Sequence, residues 1–181
     1  MAYLDDTGLD HLWSKIKALY SGISVPACSA HRASDFTQTY PTAASPSAFS
    51  VNTMSVNTDA DIFELGACPT TGKGGIKVKK SGVYEITGQY YIEFSTLTSS
   101  NYAVGIYPFV NGSEVGGALY PYRNQHGMLM PVLPPKIVRL SEGDVVTLAL
   151  RATRWDSGNM SYTVYGDATG KTFLALKRLG D

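Results

Sequence analysis

Residues 82–94 read Gly-Val-Tyr-Glu-Ile-Thr-Gly-Gln-Tyr-Tyr-Ile-Glu-Phe, and this stretch decides the fold. Its large apolar side chains lie at even-numbered positions: Tyr84, Ile86, Tyr90, Ile92 and Phe94. Polar side chains lie between them: Glu85, Thr87, Gln89 and Glu93. A period of two separates the two sets onto opposite faces of a β-strand. We therefore expect a sheet with one buried face at this point of the chain.

Shorter strand-like stretches surround this one, with turn signals between them. They cover residues 102–110, 136–140, 145–152, 161–165 and 172–179. Asn111-Gly112 is a strong hairpin signal, because both residues tolerate positive φ. Many short strands without alternating helices favour an all-β sandwich or jelly roll.

The stretch 102–110 is apolar on both faces. Val104, Ile106 and Val110 share one face, and Tyr107 and Phe109 share the other. A strand of this kind needs a packing partner on each side. One face belongs to the core of the domain, so the other must meet a second surface.

Composition excludes several classes of function. Apolar residues make up 44% of the 181 residues, which is enough for one domain with a core. The net charge is zero, whereas a nucleic-acid-binding protein normally carries a basic excess. No stretch approaches the roughly 18 apolar residues that a membrane span needs, and no signal peptide is visible. We therefore expect neither nucleic-acid nor membrane partners.

Residues 1–22 form an N-terminal segment in which residues 5–20 are predicted to be a short helix. Asp5, Asp6 and Thr7 offer N-cap side chains. An apolar stripe follows at three- and four-residue steps: Leu9, Leu12, Trp13, Ile16, Leu19 and Tyr20. A helix this short is marginal alone in water, so the stripe needs a partner surface. That partner is either the chain's own domain or the same helix from two other copies.

Residues 23–45 are rich in Ala, Ser, Thr and Pro and show no sustained period. This pattern predicts an extended linker with one short strand near residues 36–40. Because a long structureless loop is uncommon inside a compact domain, we place a boundary here. The predicted head domain covers residues 46–181.

No catalytic or metal-binding constellation is visible. The histidines are dispersed, with no carboxylates or cysteines at metal-ligand spacing: His11, His31 and His126. Residues 72–75 lack the context of a phosphate-binding loop. For Cys28 and Cys68, free buried thiols are favoured over a disulfide. We therefore expect no enzyme activity, no cofactor and no bound metal.

Two loops, residues 121–128 and 154–159, carry the residue types of a ligand site. Their candidate binding residues are aromatic, basic or hydrogen-bonding: Tyr122, Arg123, Arg154, Trp155, Asp156 and Asn159. An aromatic ring can stack on the C–H face of a sugar, and the polar side chains can bind its hydroxyls. The alternative is that Trp155 packs under its own loop and its polar neighbours are turn formers.

A set of positions in the predicted head keeps a characteristic order and spacing: Ile76, Gly82-x-Tyr84-x-Ile86, Tyr90-Tyr91, Asn111-Gly112, Gly143-Asp144-x-Val146-x-Leu148-x-Leu150, Phe173 and Leu176. In these positions the chain resembles the heads of the complement-component-1q and tumour-necrosis-factor type. The resemblance implies a ten-stranded antiparallel jelly-roll sandwich. Ile76 stands where the family usually has Phe, and residues 51–75 depart from the family spacing, so strands two and three are least defined.

The same resemblance implies a homotrimer. In trimers of this type, one sheet of each subunit packs around a threefold axis through aromatic side chains. Tyr91, Tyr107 and Phe109 are therefore predicted to lie at the trimer interface. A monomer would leave these side chains exposed to solvent.

The first twenty residues resemble a different group of proteins. Tyr3-Leu4-Asp5-Asp6-Thr7-Gly8-Leu9, followed by Leu12-Trp13-Ser14-Lys15-Ile16-Lys17, is similar to the opening of structural proteins from phages and prophages of Gram-positive gut bacteria. We therefore predict a virion protein, as a fibre, appendage or receptor-binding component. Its helix contacts other virion proteins, and its trimeric head serves assembly or adhesion to a host-surface ligand such as a glycan. The alternatives are a bacterial surface or secreted module with the same head, and a glycan depolymerase tip, which would need paired carboxylates in a groove.

Overall fold

The computed structural model describes residues 10, 12, 14–15, 25–40, 47–94, 102–122, 128–154, 160–166 and 171–181. At residues 36–40, 47, 102, 119–122, 153–154 and 160 only the backbone is described. These segments contain sixteen strands: β1 (Ala27–His31), β2 (Phe36–Tyr40), β3 (Ser47–Phe49), β4 (Thr53–Asn57), β5 (Phe63–Ala67), β6 (Gly74–Val78), β7 (Gly82–Gln89), β8 (Ile92–Phe94), β9 (Tyr102–Val110), β10 (Ser113–Glu114), β11 (Ala118–Tyr122), β12 (Met128–Leu129), β13 (Val132–Leu140), β14 (Val145–Arg154), β15 (Met160–Val164) and β16 (Phe173–Gly180). The all-β fold class is confirmed.

Helix is confined to the N-terminal segment of the described chain. Asp10, Leu12, Ser14 and Lys15 are helical, and their neighbours lie outside the described residues. Within the described residues, no helix has the length and apolar character needed to cross a membrane.

The strands form three antiparallel sheets. The first has the order β13-β7-β16-β1-β4. The second has the order β10-β9-β14-β6-β5, with β11 paired to β9 and β3 paired to β14. The third has the order β12-β8-β15-β2. In sequence, the strands of the third sheet are adjacent to four strands of the first: β12 to β13, β8 to β7, β15 to β16, and β2 to β1. The four strands have the same order in both sheets, so the third sheet extends the first.

Polar side chains join the first and third sheets where their long strands are interrupted. The Thr172 hydroxyl accepts from the backbone N–H of Tyr91 (3.0 Å) and donates to the carbonyl of Tyr165 (2.6 Å). The N–H of Tyr165 donates to the carbonyl of Tyr91 (2.8 Å), and the Asp35 carboxylate accepts from the N–H of Gly166 (2.9 Å). These bonds replace the regular ladder, so the sheet continues although its strands end. Such interruptions are one reason why the described segments hold sixteen strands instead of the predicted ten.

The core lies between the first and second sheets. On β7 every second residue is buried, including Tyr84 and Ile86, as the alternation predicts. Leu174 and Leu176 of β16 face the same core. Val146, Leu148 and Leu150 of β14 come from the second sheet. Each fully buried side chain of this kind contributes about 1.5–3 kcal/mol.

The Asn111-Gly112 turn forms as its sequence predicts. Both residues have positive φ, 51° and 88°. The Asn111 amide also donates to the Asp144 carboxylate (2.7 Å), and its side-chain oxygen accepts from the N–H of Val145 (2.9 Å). The turn is therefore tied to the start of β14, at the point where the chain crosses between sheets.

The predicted linker, residues 23–45, needs correction. β1 (Ala27–His31) lies between β16 and β4 in the first sheet, and β2 (Phe36–Tyr40) pairs with β15 in the third. The short strand expected near residues 36–40 is confirmed, but β1 was missed. Its inward side chains are Cys28 and Ala30, which are too small to give a visible hydrophobic period. The sandwich therefore begins before residue 46.

Candidate functional site

A row of exposed apolar side chains follows one edge of the first and third sheets. On β12 and β13 buried and exposed residues alternate, which turns Met128, Met130 and Val132 outward. Ile137 follows after a bulge that contains Pro134 and Pro135. The exposed fractions of the four apolar side chains are 54%, 59%, 46% and 67% in chain order. We call Met128, Met130, Val132 and Ile137 the edge ridge.

A groove crosses the outer face of the same sheet, nearer its other edge. It has a volume of about 320 Å³ and is lined by Ala27, Cys28, Ser29, Val56, Glu85, Thr87, Ala175, Leu176 and Lys177. The register pairs Ser29 with Ala175, and Ala175 with Thr87, so three small side chains form a row across β1, β16 and β7. The groove exists because larger side chains flank this row. We call it the small-residue groove.

Tyr91, one of the predicted interface residues, lies in a cluster beside the edge ridge. Its ring centroid is 5.5 Å from that of Tyr165, and its hydroxyl donates to the Met128 sulfur. The Lys171 ammonium lies 5.1 Å from the centre of the Tyr91 ring, within cation–π range. The Tyr165 hydroxyl donates to the Glu93 carboxylate, and this hydrogen bond, together with burial, raises the pKa of Tyr165. Tyr165 is therefore a neutral donor at physiological pH.

Tyr107 and Phe109 do not join Tyr91. They lie on β9, in the second sheet, whereas Tyr91 follows β7 in the first. A Cβ atom added at Gly105 or Gly117 would come within 2.3 Å or 2.1 Å of the Tyr107 ring. The ring therefore lies flat over two glycines of its own sheet, and Tyr107 is half-buried without any second copy. This packing covers one side of the Tyr107 ring on the outer face of β9.

The two candidate ligand loops leave the sandwich side by side. The backbone of Tyr102 on β9 pairs with Arg154 on one side and with Tyr122 on the other. Two strand spacings, roughly 10 Å, therefore separate the starts of the loops. The side chains of Tyr122 and Arg154, and the whole of Arg123, Trp155, Asp156 and Asn159, lie outside the described residues.

The entry to β1 and the end of β16 lie at the opposite end of the sandwich from the starts of these loops. The N–H of Arg178 donates to the carbonyl of Pro26 (2.9 Å), which places the entry to β1 beside the end of β16. Leu140 pairs with Gly82 at this same end, and residues 141–144 lead from it directly into β14. β14 then runs the length of the second sheet and ends at Arg154, so the loops open at the far end.

In the predicted anchoring helix, Leu12 is 47% exposed. Leu9, Trp13, Ile16 and Leu19 lie outside the described residues. The apolar stripe of the N-terminal helix therefore remains a prediction from the sequence.

Within the described residues, the cysteines and histidine belong to no assembled metal or catalytic site. Cys28 and Cys68 are free and buried, as the sequence analysis favoured, and burial raises the pKa of Cys28 to about 12. His31 is 8% exposed and its Nδ1 lies 2.5 Å from the Ser55 hydroxyl, so it is a satisfied, buried histidine. Across the described segments, no three His, Cys, Asp or Glu side chains are grouped closely enough to hold a metal ion.

The edge ridge was missed at the level of sequence. Its signal was present, because Met128, Met130 and Val132 recur at every second position in the printed sequence. Met128 was assigned to a polar loop. Leu129 and Pro131 are also apolar, so the residues from 128 to 132 do not alternate between apolar and polar. The groove has no local signal, because its lining comes from four strands distant in sequence.

Comparisons with known proteins identify the fold. Crystal structures of murine APRIL at pH 5.0 and pH 8.5 are similar to this chain, with TM-scores of 0.53 and 0.50. Each is 12% identical in sequence and covers 86% of this chain and 100% of the APRIL chain. A structure of Eiger TNF from S. frugiperda covers 87% of this chain and 95% of its own, at 16% identity and a TM-score of 0.47. No protein-family model and no curated protein matches the chain. The protein therefore has a TNF-like jelly-roll fold, which confirms that part of the resemblance.

Proposed function

We propose that the chain is a structural protein of a phage or prophage virion, whose homotrimeric jelly-roll head mediates assembly and adhesion to a host-surface ligand such as a glycan. Its N-terminal segment contacts other virion proteins, and the protein resides in the virion. The head acts by binding and not by catalysis. The phage context rests on the resemblance of the first twenty residues.

One observation carries the adhesive role. β9, β11 and β14 bring the starts of loops 121–128 and 154–159 to one end of the sandwich, and the entry to β1 lies at the other end. A head attached through its N-terminal segment thus presents both loops away from the particle. Loops held by a rigid sheet are a common location for binding residues.

The homotrimer is supported by the outer face of the first and third sheets. The edge ridge, Tyr91 and the small-residue groove all lie on this face. A row of exposed apolar side chains such as the edge ridge marks an interaction site, and identical chains most often associate with closed cyclic symmetry. The Tyr107 ring already packs on Gly105 and Gly117 in its own copy, so Tyr91 is the stronger of these two predicted interface residues.

Replacing Trp155 by alanine tests the adhesive role. A buried aromatic contact contributes about 1.5–3 kcal/mol, so binding to host cells or their isolated polysaccharide should weaken about 10- to 100-fold. Binding is measured with the full chain on intact cells and on immobilised polysaccharide. The matched control is Trp13→Ala, which removes the other tryptophan, in the N-terminal segment, and should leave binding unchanged.

Thermal unfolding separates the two interpretations of Trp155. If the ring contacts ligand, Trp155→Ala lowers affinity and leaves the unfolding temperature close to that of the parent. A lower unfolding temperature with unchanged affinity would show that the ring packs under its loop, which would contradict the proposed site.

A further inference from the structure

We infer that Tyr107 and Arg151, on the outer face of the second sheet, form a subsite for a sugar unit that carries a carboxylate or a phosphate. We call these two residues the acidic-sugar platform. The inference rests on the proposed adhesive role, and it adds a binding surface and a ligand class to the two candidate loops.

The Tyr107 ring has the geometry of a stacking surface. One side of the ring covers Gly105 and Gly117, where an added Cβ atom would come within 2.3 Å and 2.1 Å of it. Aromatic rings often cover glycines in sheets, so sheet packing explains this side alone. Among the described residues, no other ring and no cation stacks on Tyr107, which is only half-buried. The other side of the ring is therefore free to stack on the C–H face of a sugar.

The Arg151 side chain begins beside the hydroxyl end of this ring. The Tyr107 hydroxyl lies 2.6 Å from the position that a Cβ atom would take at Gly105. Arg151 on β14 is the cross-strand partner of Gly105 on β9, so the two residues share a face. The Cβ positions of such a pair are about 5 Å apart. The ring and the arginine side chain are therefore neighbours on one surface.

Arg151 lacks a partner inside the described part of the protein. Its Nε is buried without a hydrogen bond, and no described residue forms an ion pair with its guanidinium. Buried donors are nearly always satisfied, so an exception calls for a physical explanation. The Nε and an Nη of arginine can form two parallel hydrogen bonds to a carboxylate or a phosphate. A bound anion would give Arg151 the partner that the protein does not supply.

The carboxylates on the strands of the second sheet lie away from the platform. These strands carry two of them, Glu64 and Glu114. The Glu64 carboxylate is bound by Lys77 (2.9 Å). Glu114 pairs with Phe109, which is four residues from Gly105 on β9, a separation of about 13 Å along the strand. Neither carboxylate therefore pairs with the platform arginine.

A second cation lies near the opposite side of β9 from Arg151. The Lys136 ammonium is 3.9 Å from the position that a Cβ atom would take at Gly116, the residue before Gly117. No described residue forms an ion pair with Lys136. Two cations without partners on this part of the surface favour an anionic sugar over a neutral one.

The platform is close to the candidate loops and away from the proposed trimer face. Gly105 is three residues from Tyr102 on β9, about 10 Å, and Tyr102 pairs with the residues at which both loops start. One extended saccharide can therefore contact the loops and the platform together. The edge ridge, Tyr91 and the small-residue groove belong to the first and third sheets, so assembly through that face leaves the platform exposed.

Saturation-transfer NMR with the full chain tests the ligand class. Glucuronic acid and glucose monophosphate are the acidic probes, and glucose is the neutral one. We expect both acids to bind about tenfold more tightly than glucose, because a charge-assisted bidentate pair adds to the stacking. Arg151→Gln should remove this difference. The matched control is Arg139→Gln, which alters an exposed arginine on β13 of the first sheet and should keep the difference.

A second pair of variants tests the stacking surface. Tyr107→Leu still covers the two glycines but has no flat ring, so its affinity for all three sugars should fall about fivefold or more. Tyr107→Phe keeps the ring and should bind all three sugars as the parent does. Thermal unfolding shows that each variant is folded. Should the leucine variant fail to fold, Tyr107→Met replaces it.

Three results would overturn the inference: acidic sugars that bind no better than glucose, equal losses in Arg139→Gln and Arg151→Gln, or unchanged affinity in Tyr107→Leu. Binding to host cells separates this failure from failure of the adhesive role. If Trp155→Ala weakens host binding and the platform variants leave sugar binding unchanged, the loops are the site and the platform is not. If Trp155→Ala leaves host binding unchanged while the acidic sugars still bind through Arg151, the loop site alone is overturned.

Discussion

Replacing Gly75 by alanine should destabilise the sandwich by about 3 kcal/mol or more, because the strands β6 and β14 approach each other too closely for a side chain. An added Cβ atom would lie 2.2 Å from the carbonyl oxygen of Val146 and 2.7 Å from Cγ2 of Thr147. The first of these atoms belongs to the backbone of a central strand and cannot rotate away. Relief requires β6 to move off β14, which breaks the pairing of Val146 with Ile76.

Urea denaturation of the purified chain measures this effect, as a lower midpoint with an unchanged slope. The matched control is Gly180→Ala, because a Cβ atom there has no heavy-atom neighbour within 4 Å. The control should stay within about 0.5 kcal/mol of the parent. Equal effects from the two variants would show that β6 and β14 are not in close contact at Gly75.

Replacing Phe49 by alanine should cost about 3–5 kcal/mol, because its ring joins the two layers of the sandwich. Phe49 lies on β3 in the second sheet and is 4% exposed. Its ring meets Tyr90 edge to face, with centroids 5.6 Å apart, and Tyr162 with centroids 6.4 Å apart. Both tyrosines belong to the opposite layer, so the truncation leaves a cavity between the sheets.

The same denaturation experiment checks this expectation. Phe49→Leu is the matched control, since it keeps most of the buried volume and should cost less than half as much as the alanine variant. A loss below about 1 kcal/mol for Phe49→Ala would contradict the position of this ring in the core.

Sequence reasoning succeeded where one strand carries its own signal. The alternation of residues 84–94 predicts the buried face of β7 and β8, and Asn111-Gly112 predicts the turn after β9. In both places the information is local. The alternation of apolar and polar side chains determines which face of the strand is buried. The backbone conformation that Asn and Gly tolerate determines the turn.

Prediction from the sequence failed where the structure of a segment depends on another strand or residue of the same chain. β1 has small inward side chains, and only its position between β16 and β4 makes it a strand. The Tyr107 ring lies flat over Gly117, which belongs to the neighbouring segment. No pattern within residues 102–110 reveals that glycine, because it is ten residues further along the chain.

For the candidate site too, residue types could be predicted from the sequence, but their arrangement in space could not. The residue types of loops 121–128 and 154–159 were recognisable from sequence, but their proximity follows only from the pairing of Tyr102 with both Arg154 and Tyr122. The small-residue groove has an even weaker signal. Ser29, Thr87 and Ala175 are unremarkable until the register places them in one row.

The proposed homotrimer has a defined mass in solution. The most direct test is the solution mass of the unmodified full chain, measured by light scattering on a sizing column across a range of concentrations. For the homotrimer we expect three times 19.5 kDa at every concentration measured, since obligate apolar interfaces are large and stable. A mass of 19.5 kDa throughout would contradict it, and would leave the edge ridge and the groove as surfaces for a different protein.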